Sequence, residues 1–217
     1  QWAEQNQQKR ALKTVRETEK AALARDGWSA VLKLTTEVDG QRRFKDQPPL
    51  LVSLVADDEA RTSVKEMYSA YRSTLLVDRA ELLSRYEPID TGHKVVGVGS
   101  VGLLAFVLLL QGRNDEDLLV LQLKEAVSSV LEPYTQPSQW STHGERVVNG
   151  QRLMQASTDA FLGWVQGPRD RSYYVRQLRD MKWSPDLSDM DEQAFATYSK
   201  LCGVTLAGAH ARSGVSV

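Results

Sequence analysis

The chain has 217 residues, 41% hydrophobic and 25% charged, which is enough for one large domain or two small ones with a real core. Twenty-seven Lys and Arg stand against 28 Asp and Glu, a net charge of −1. That excludes the basic footprint of a nucleic-acid binder and the character of an acidic tail. The single cysteine, Cys202, excludes an internal disulfide; set among apolar residues, it reads as a small core hydrophobe and fits a reducing cytoplasm.

The opening QWAEQNQQKRALK is polar and has no apolar run of the kind a signal peptide needs. The missing initiator Met suggests a fragment whose true start lies upstream. Residues 1–25 read as a helix with Leu12, Val15 and Leu23 on one side, stopped at Asp26-Gly27. A short helical segment with Val31, Leu32 and Leu34 follows. Asp39-Gly40 predicts the turn of a small hairpin, and Pro48-Pro49 interrupts regular structure. LLVSLV, from Leu50, reads as a short strand. The acids Asp57, Asp58 and Glu59 open a helix that runs to about Thr74 and buries Val64, Met67, Tyr68 and Tyr71. Asp78 is expected to cap a further helix carrying Ala80, Leu82, Leu83 and Tyr86, ended by Pro88, with a linker to Thr91.

Val95 to Leu110 holds no charge. It is short for a membrane span, and Gly97, Gly99 and Gly102 weaken it as a helix, so two strands are expected and no membrane partner. Those strands are Lys94–Val98 and Leu103–Gln111, and GRNDED forms a hairpin tip before a third strand, Leu118–Lys124. Ser141 is expected to cap a helix over His143–Ala156. Phe161–Trp164 and Ser172–Leu178 read as two more antiparallel strands about a GPRDR turn. The closing helix, Met190–Arg212, is expected to bury Phe195, Tyr198, Leu201, Cys202, Thr205, Leu206 and Ala209, with Gly214 at its C-cap.

GVGSVG at Gly97–Gly102 is a weak signal alone. In a dinucleotide fold the glycines would open a helix, but here LLAFVLLL follows, which is a strand pattern. The other context is a kinase nucleotide lobe, where such a loop joins two antiparallel strands over the phosphates. A lysine on the third strand and a glutamate on the next helix then complete the site. In that reading the backbone of Gly97, Gly99, Ser100 and Gly102 touches phosphates, Lys124 pairs with them, and Glu145 orients Lys124; Glu125 and Glu132 are less well placed. Each residue also has a plainer reading: a tight hairpin for the glycines, a strand-end lysine, a solvated helix glutamate. Arg176 and Arg179 form a site or cover a sheet edge, and His210 and Arg212 suit the negative end of the last helix.

KVVGVGSVG, LQLKEA, SVLEPY, HGERVVNGQRLMQA, FLGW, YYVRQLRDMK and AHARSG, in this order, resemble the bacterial domain-of-unknown-function family 2252 from about Leu50 to Gly214. Its members carry upstream Gly-Asp-x-His, Asn-Phe and Asp-Phe-Asp blocks. These are similar to the catalytic and metal-binding loops of aminoglycoside-phosphotransferase-type kinases, so the resemblance implies a permuted kinase-like fold using ATP with magnesium and an unknown acceptor. This chain holds neither those blocks nor a His-Arg-Asp or Asp-Phe-Gly, and it ends in SGVSV where the family continues. Alone it is therefore expected to be inactive. The expected fold is α+β, a mainly antiparallel sheet resembling a kinase N-lobe between terminal helices. The expected parts are a helical stretch over 1–92, the glycine-loop lobe over 93–182 and a closing helix over 183–217, in one cytoplasmic domain. The alternative function is a structural or interaction domain with no nucleotide site.

Overall fold

The computed structural model describes residues 27–54, 58–95, 101–178 and 186–214. The helix expected over residues 1–25 lies outside these. Chain order begins with α1 (Gly27–Leu34), β1 (Thr35–Val38) and β2 (Gln41–Phe44). Asp39 and Gly40 turn the hairpin with φ of 50° and 71°, the left-handed pair that matches the twist of the flanking strands. Gly27 begins a helix here. The Asp26-Gly27 stop signal therefore acts at its N-terminal side, where a glycine costs little.

β3 (Leu51–Ser53) leads to α2 (Asp58–Arg72) and α3 (Val77–Leu83). The expected face of α2 is the observed one, with Val64, Met67, Tyr68 and Tyr71 all buried. Asp78 lies in the first turn of α3 and does not cap it; Leu76 holds the cap position without a side-chain bond. Leu83 is buried while Leu82 is exposed.

The segment read as a linker is a strand, β4 (Glu87–Lys94), and the strand expected over Lys94–Val98 is this one, displaced towards the N-terminus. By local chemistry Pro88 is a helix stop. It sits at the first positions of the strand, beside a register shift between Pro88 and Asp90 that accommodates its missing N–H. Tertiary bonds then hold the strand. Arg43 Nη1 donates to the Ile89 carbonyl at 2.6 Å, and the Phe44 N–H donates to Asp90 Oδ2 at 2.6 Å.

β5 (Ala105–Gln111), β6 (Leu118–Ala126), α4 (His143–Met154), β7 (Gly163–Gln166), β8 (Ser172–Gln177) and α5 (Glu192–Ser213) complete the described elements. Six strands form one sheet in the order β3-β4-β5-β6-β8-β7, every neighbouring pair antiparallel. The fold is α+β. β5 and β6 are central and covered on both faces, which is why their sequences are nearly unbroken apolar runs. On one face Leu108, Leu110, Leu119, Leu121, Leu123, Val165, Tyr173 and Val175 pack under α2, Leu83 and Phe161. On the other, Val107, Leu109, Val120 and Leu178 pack against Val31, Phe44 and Leu51.

α4 lies on that second face, over β7 and β8. Gly144 is seated against the Tyr173 carbonyl and Ser172 Oγ, and the Arg152 guanidinium stands 5.7 Å from the Trp164 ring centre. Its cap is Thr142, not Ser141: Thr142 Oγ1 accepts from the Glu145 N–H at 3.2 Å.

The stripe expected to bury α5 does not do so. Phe195, Leu201, Cys202, Thr205 and Leu206 are exposed, Tyr198 is half-buried, and Ala209 alone of the set is buried. The spacing is helical, but the helix meets the rest of the fold through α4 near its C-terminal end, where Arg212 Nη2 donates to the Met154 carbonyl at 2.5 Å. Gly214 is the C-cap, at φ −74°, so the cap does not use the left-handed conformation. None of the helices among the described residues is long and apolar enough to cross a membrane.

Candidate functional site

The glycine loop leaves β4 after Lys94 and enters β5 at Ala105, so it joins two neighbouring antiparallel strands. A strand, not a helix, follows the glycines, and this removes the dinucleotide-fold alternative. Gly97, Gly99 and Ser100 lie outside the described residues. Gly102 is described at the exit with φ +83°, a conformation that favours glycine.

β6 carries Lys124 between Ala105 of β5 and Tyr174 of β8, and Tyr174 in turn pairs with Trp164 of β7. Strand alternation puts these four residues on the second face, the one that bears α4. Lys124 is half-buried. On β4, Lys94 falls one step beyond the His93–Phe106 pair and so flanks Ala105 from the other side of the same face. Two residues along from Lys124 the row is Val107, Gln122 and Arg176. β8 lies between β6 and β7, so Arg176 covers no sheet edge; Arg179 falls outside the described residues.

Glu145 stands in the first turn of α4, and its carboxylate is engaged locally. Glu145 Oε2 accepts from Ser141 Oγ at 2.6 Å and from the Ser141 N–H at 3.1 Å. With the Thr142 bond this is a capping box displaced by one residue. Among the described residues no hydrogen bond or ion pair joins Glu145 to Lys124.

The acid that meets the glycine loop is Glu125. Its side chain is 8% exposed, its Oε1 pairs with Arg171 Nη1 at 2.7 Å, and its Oε2 accepts from the Leu104 N–H at 2.8 Å. The carboxylate thus ties the loop's exit to the sheet and to the turn before β8. The signal was present in LQLKEA: in a strand with Lys124 on one face, its neighbour must point to the other. Glu125→Ala is expected to leave the Leu104 N–H and the Arg171 guanidinium without their partner. The cost is about 1–3 kcal/mol, with faster amide exchange at Leu104 than at Leu108. Unchanged exchange at Leu104 would show that the carboxylate does not hold the loop.

Burial raises the Tyr174 hydroxyl pKa, and Arg176 opposes the shift; burial raises that of Tyr173 too, helped by Glu125. Both stay neutral phenols at ordinary pH. No group of three or more His, Cys, Asp or Glu is placed to hold a metal among the described residues.

No curated protein and no solved structure matches the chain. A family model does, over residues 1–217, and it describes an uncharacterized protein conserved in bacteria (DUF2252). The match runs beyond the Leu50–Gly214 stretch that carries the resemblance and covers all 217 residues, and the chain belongs to this bacterial family.

Proposed function

We propose that this chain is a nucleotide-binding lobe of kinase-like design, which takes the phosphates of magnesium ATP or a related triphosphate under the glycine loop. The observation that carries the reading is the order of parts in one antiparallel sheet. Two neighbouring strands are joined by the glycine loop. The third strand bears Lys124, a helix follows on the Lys124 face, and two more strands complete the sheet. These parts serve phosphate binding in kinases. Lys124 is half-buried, and Lys94 stands on the same face across Ala105, an arrangement that suits a polyanion. Glu145 would have to leave Ser141 to reach Lys124, so in this reading the pair forms as the ligand enters.

Lys124→Met tests the reading. Magnesium ATP is expected to raise the melting temperature of the whole chain, and Lys124→Met to remove the rise while leaving the unliganded melting temperature within about 1–2 °C, as for a surface change. A rise that survives the substitution, or no rise in a cooperatively folded chain, counts against the site. The exposed Phe195, Leu201, Val204 and Leu206 of α5 favour a second reading, an interaction domain. That reading expects no nucleotide response at all.

A further inference from the structure

α5 carries apolar surface that nothing among the described residues covers. Between Glu192 and His210 its one charged residue is Lys200. Thr197 and Thr205 turn their hydroxyls back onto the Gln193 and Leu201 carbonyls, each at 2.9 Å, and so present little polarity outward. A helix without a polar face belongs in an interior. Yet Leu201 and Val204 are 61% and 63% exposed, more than Phe195 or Leu206 of the same helix. The buried Ala209, near the contact with α4, lies about 80° and 140° round the helix from Leu201 and Val204.

Spacing makes the open side a seam. Ala194, Thr197, Leu201, Val204, Gly208 and Ala211 follow one another in alternating steps of three and four, the heptad pattern that keeps one face towards a partner helix. Gly208 is half-buried and the other five are exposed. The row is also self-complementary. Turned end for end about the middle of the helix, Ala194 faces Ala211, Thr197 faces Gly208 and Leu201 faces Val204, with the two large residues at the centre. The charges follow the same two-fold. Asp186, Asp189, Asp191 and Glu192 gather at the N-terminal end, and His210 and Arg212 at the C-terminal end. Arg212 Nη2 serves the Met154 carbonyl. Its Nη1 lies 3.5 Å from the place of a Cβ on Gly208, beside the seam, and makes no hydrogen bond among the described residues.

We propose that a second copy of this chain covers the seam, as an antiparallel pair of α5 helices with a two-fold axis beside residues 202 and 203. That direction sets each acidic end against a basic one and opposes the two helix dipoles, whereas a parallel pair would set like ends together. The proposal does not rest on the nucleotide reading. α5 is about 33 Å long. One helix pair of that length makes an interface of the small class, below about 1,200 Å² in all, so the dimer is expected to dissociate on dilution.

Sedimentation velocity of the whole chain over a dilution series is the test, and a reversible monomer–dimer equilibrium is the expected result. Leu201→Glu alters the seam twice in a two-fold dimer and is expected to weaken association about tenfold or more. Leu206→Glu, on another side of the helix, is expected to leave it unchanged. If Leu201→Glu fails to fold, disulfide linking decides. In a Cys202→Ala background, chains with Leu201→Cys and chains with Val204→Cys are expected to link to each other on mild oxidation, and neither to itself. Self-linking through Leu201→Cys, or equal loss of association with Leu206→Glu, overturns the antiparallel seam. A chain that stays monomeric at every concentration overturns the proposal, and shielding of the Leu201→Cys thiol from a maleimide in that monomer would assign the cover to another part of the same chain.

Discussion

Tyr71→Ala is expected to destabilise the fold by about 3–5 kcal/mol, the range for removing a buried aromatic ring. Tyr71 is 2% exposed, stands at the centre of the larger core cluster, and donates its hydroxyl to the Phe161 carbonyl just before β7. Its ring also occupies the space that a side chain at position 163 would need: a Cβ on Gly163 would meet Tyr71 Cε2 at 2.7 Å. Tyr71 therefore joins α2 to the sheet by shape as well as by bond. Tyr71→Phe keeps the ring and leaves one buried carbonyl unpaired, so about 1–3 kcal/mol is expected. Urea unfolding of the two variants separates the contributions. A cost for Tyr71→Ala no larger than for Tyr71→Phe would mean that the ring does not fill the core.

The same residue makes alkali a probe. Burial raises the Tyr71 hydroxyl pKa well above its ordinary value of 10.0, and burial pushes Tyr68 up to about 12. A raised folded pKa means the native state holds the proton after the unfolded chain has lost it. The stabilisation is thus complete below about pH 10, the unfolded value, and is lost as pH rises towards 12 and beyond. Tyr71→Phe is expected to flatten that alkaline fall, since Tyr68 alone of the pair then titrates.

Gly144→Val is the second large effect. Gly144 is in the first turn of α4. It donates its N–H to Ser172 Oγ at 2.7 Å, and an added Cβ would meet Ser172 Oγ at 2.9 Å and press on the Tyr173 carbonyl. The backbone of β8 cannot give way, being paired on both sides by β6 and β7, so the helix must rise from the sheet. The expected cost is about 1–3 kcal/mol, as for other insertions into tight packing. Because α4 flanks the Lys124 face, any nucleotide response is expected to fall with it. Gly150 supplies the control within the same helix. A Cβ there meets nothing within 4 Å, so Gly150→Ala is expected to stabilise by about 0.5–1 kcal/mol through helix propensity. Equal effects at the two positions would show that propensity, not close approach, sets the cost at 144.

Much of the fold was legible because local patterns and packing agree. The Asp39-Gly40 turn, the α2 face, the apolar runs of β5 and β6 and the helix beginning at His143 were read from spacing alone, and each is present. Disagreement arose where a local signal was genuine but its consequence was set elsewhere. Pro88 is a helix stop by local chemistry, yet the Asp90 carboxylate and the Arg43 guanidinium clamp the following residues into a sheet. The α5 stripe has helical spacing, but spacing reports what a helix could bury and not whether anything faces it. Glu145 was assigned to Lys124 by analogy of order, while the structure gives its carboxylate to Ser141, four residues away.

The sequence by itself determined most of the helices, the central apolar strands and the position of the glycine run between two strands, because these depend on periodicity and turn chemistry within a few residues. The tertiary structure alone decided the register. It placed Lys124 beside Ala105 and Tyr174, set Arg176 opposite Gln122 inside the sheet and not at its edge, and turned Glu125 to the loop. Such neighbours are separated by some twenty to fifty residues of chain. Register between strands distant in the chain follows from which side chains the two core faces can bury together, so the β6–β8 partners could not be read from any one segment.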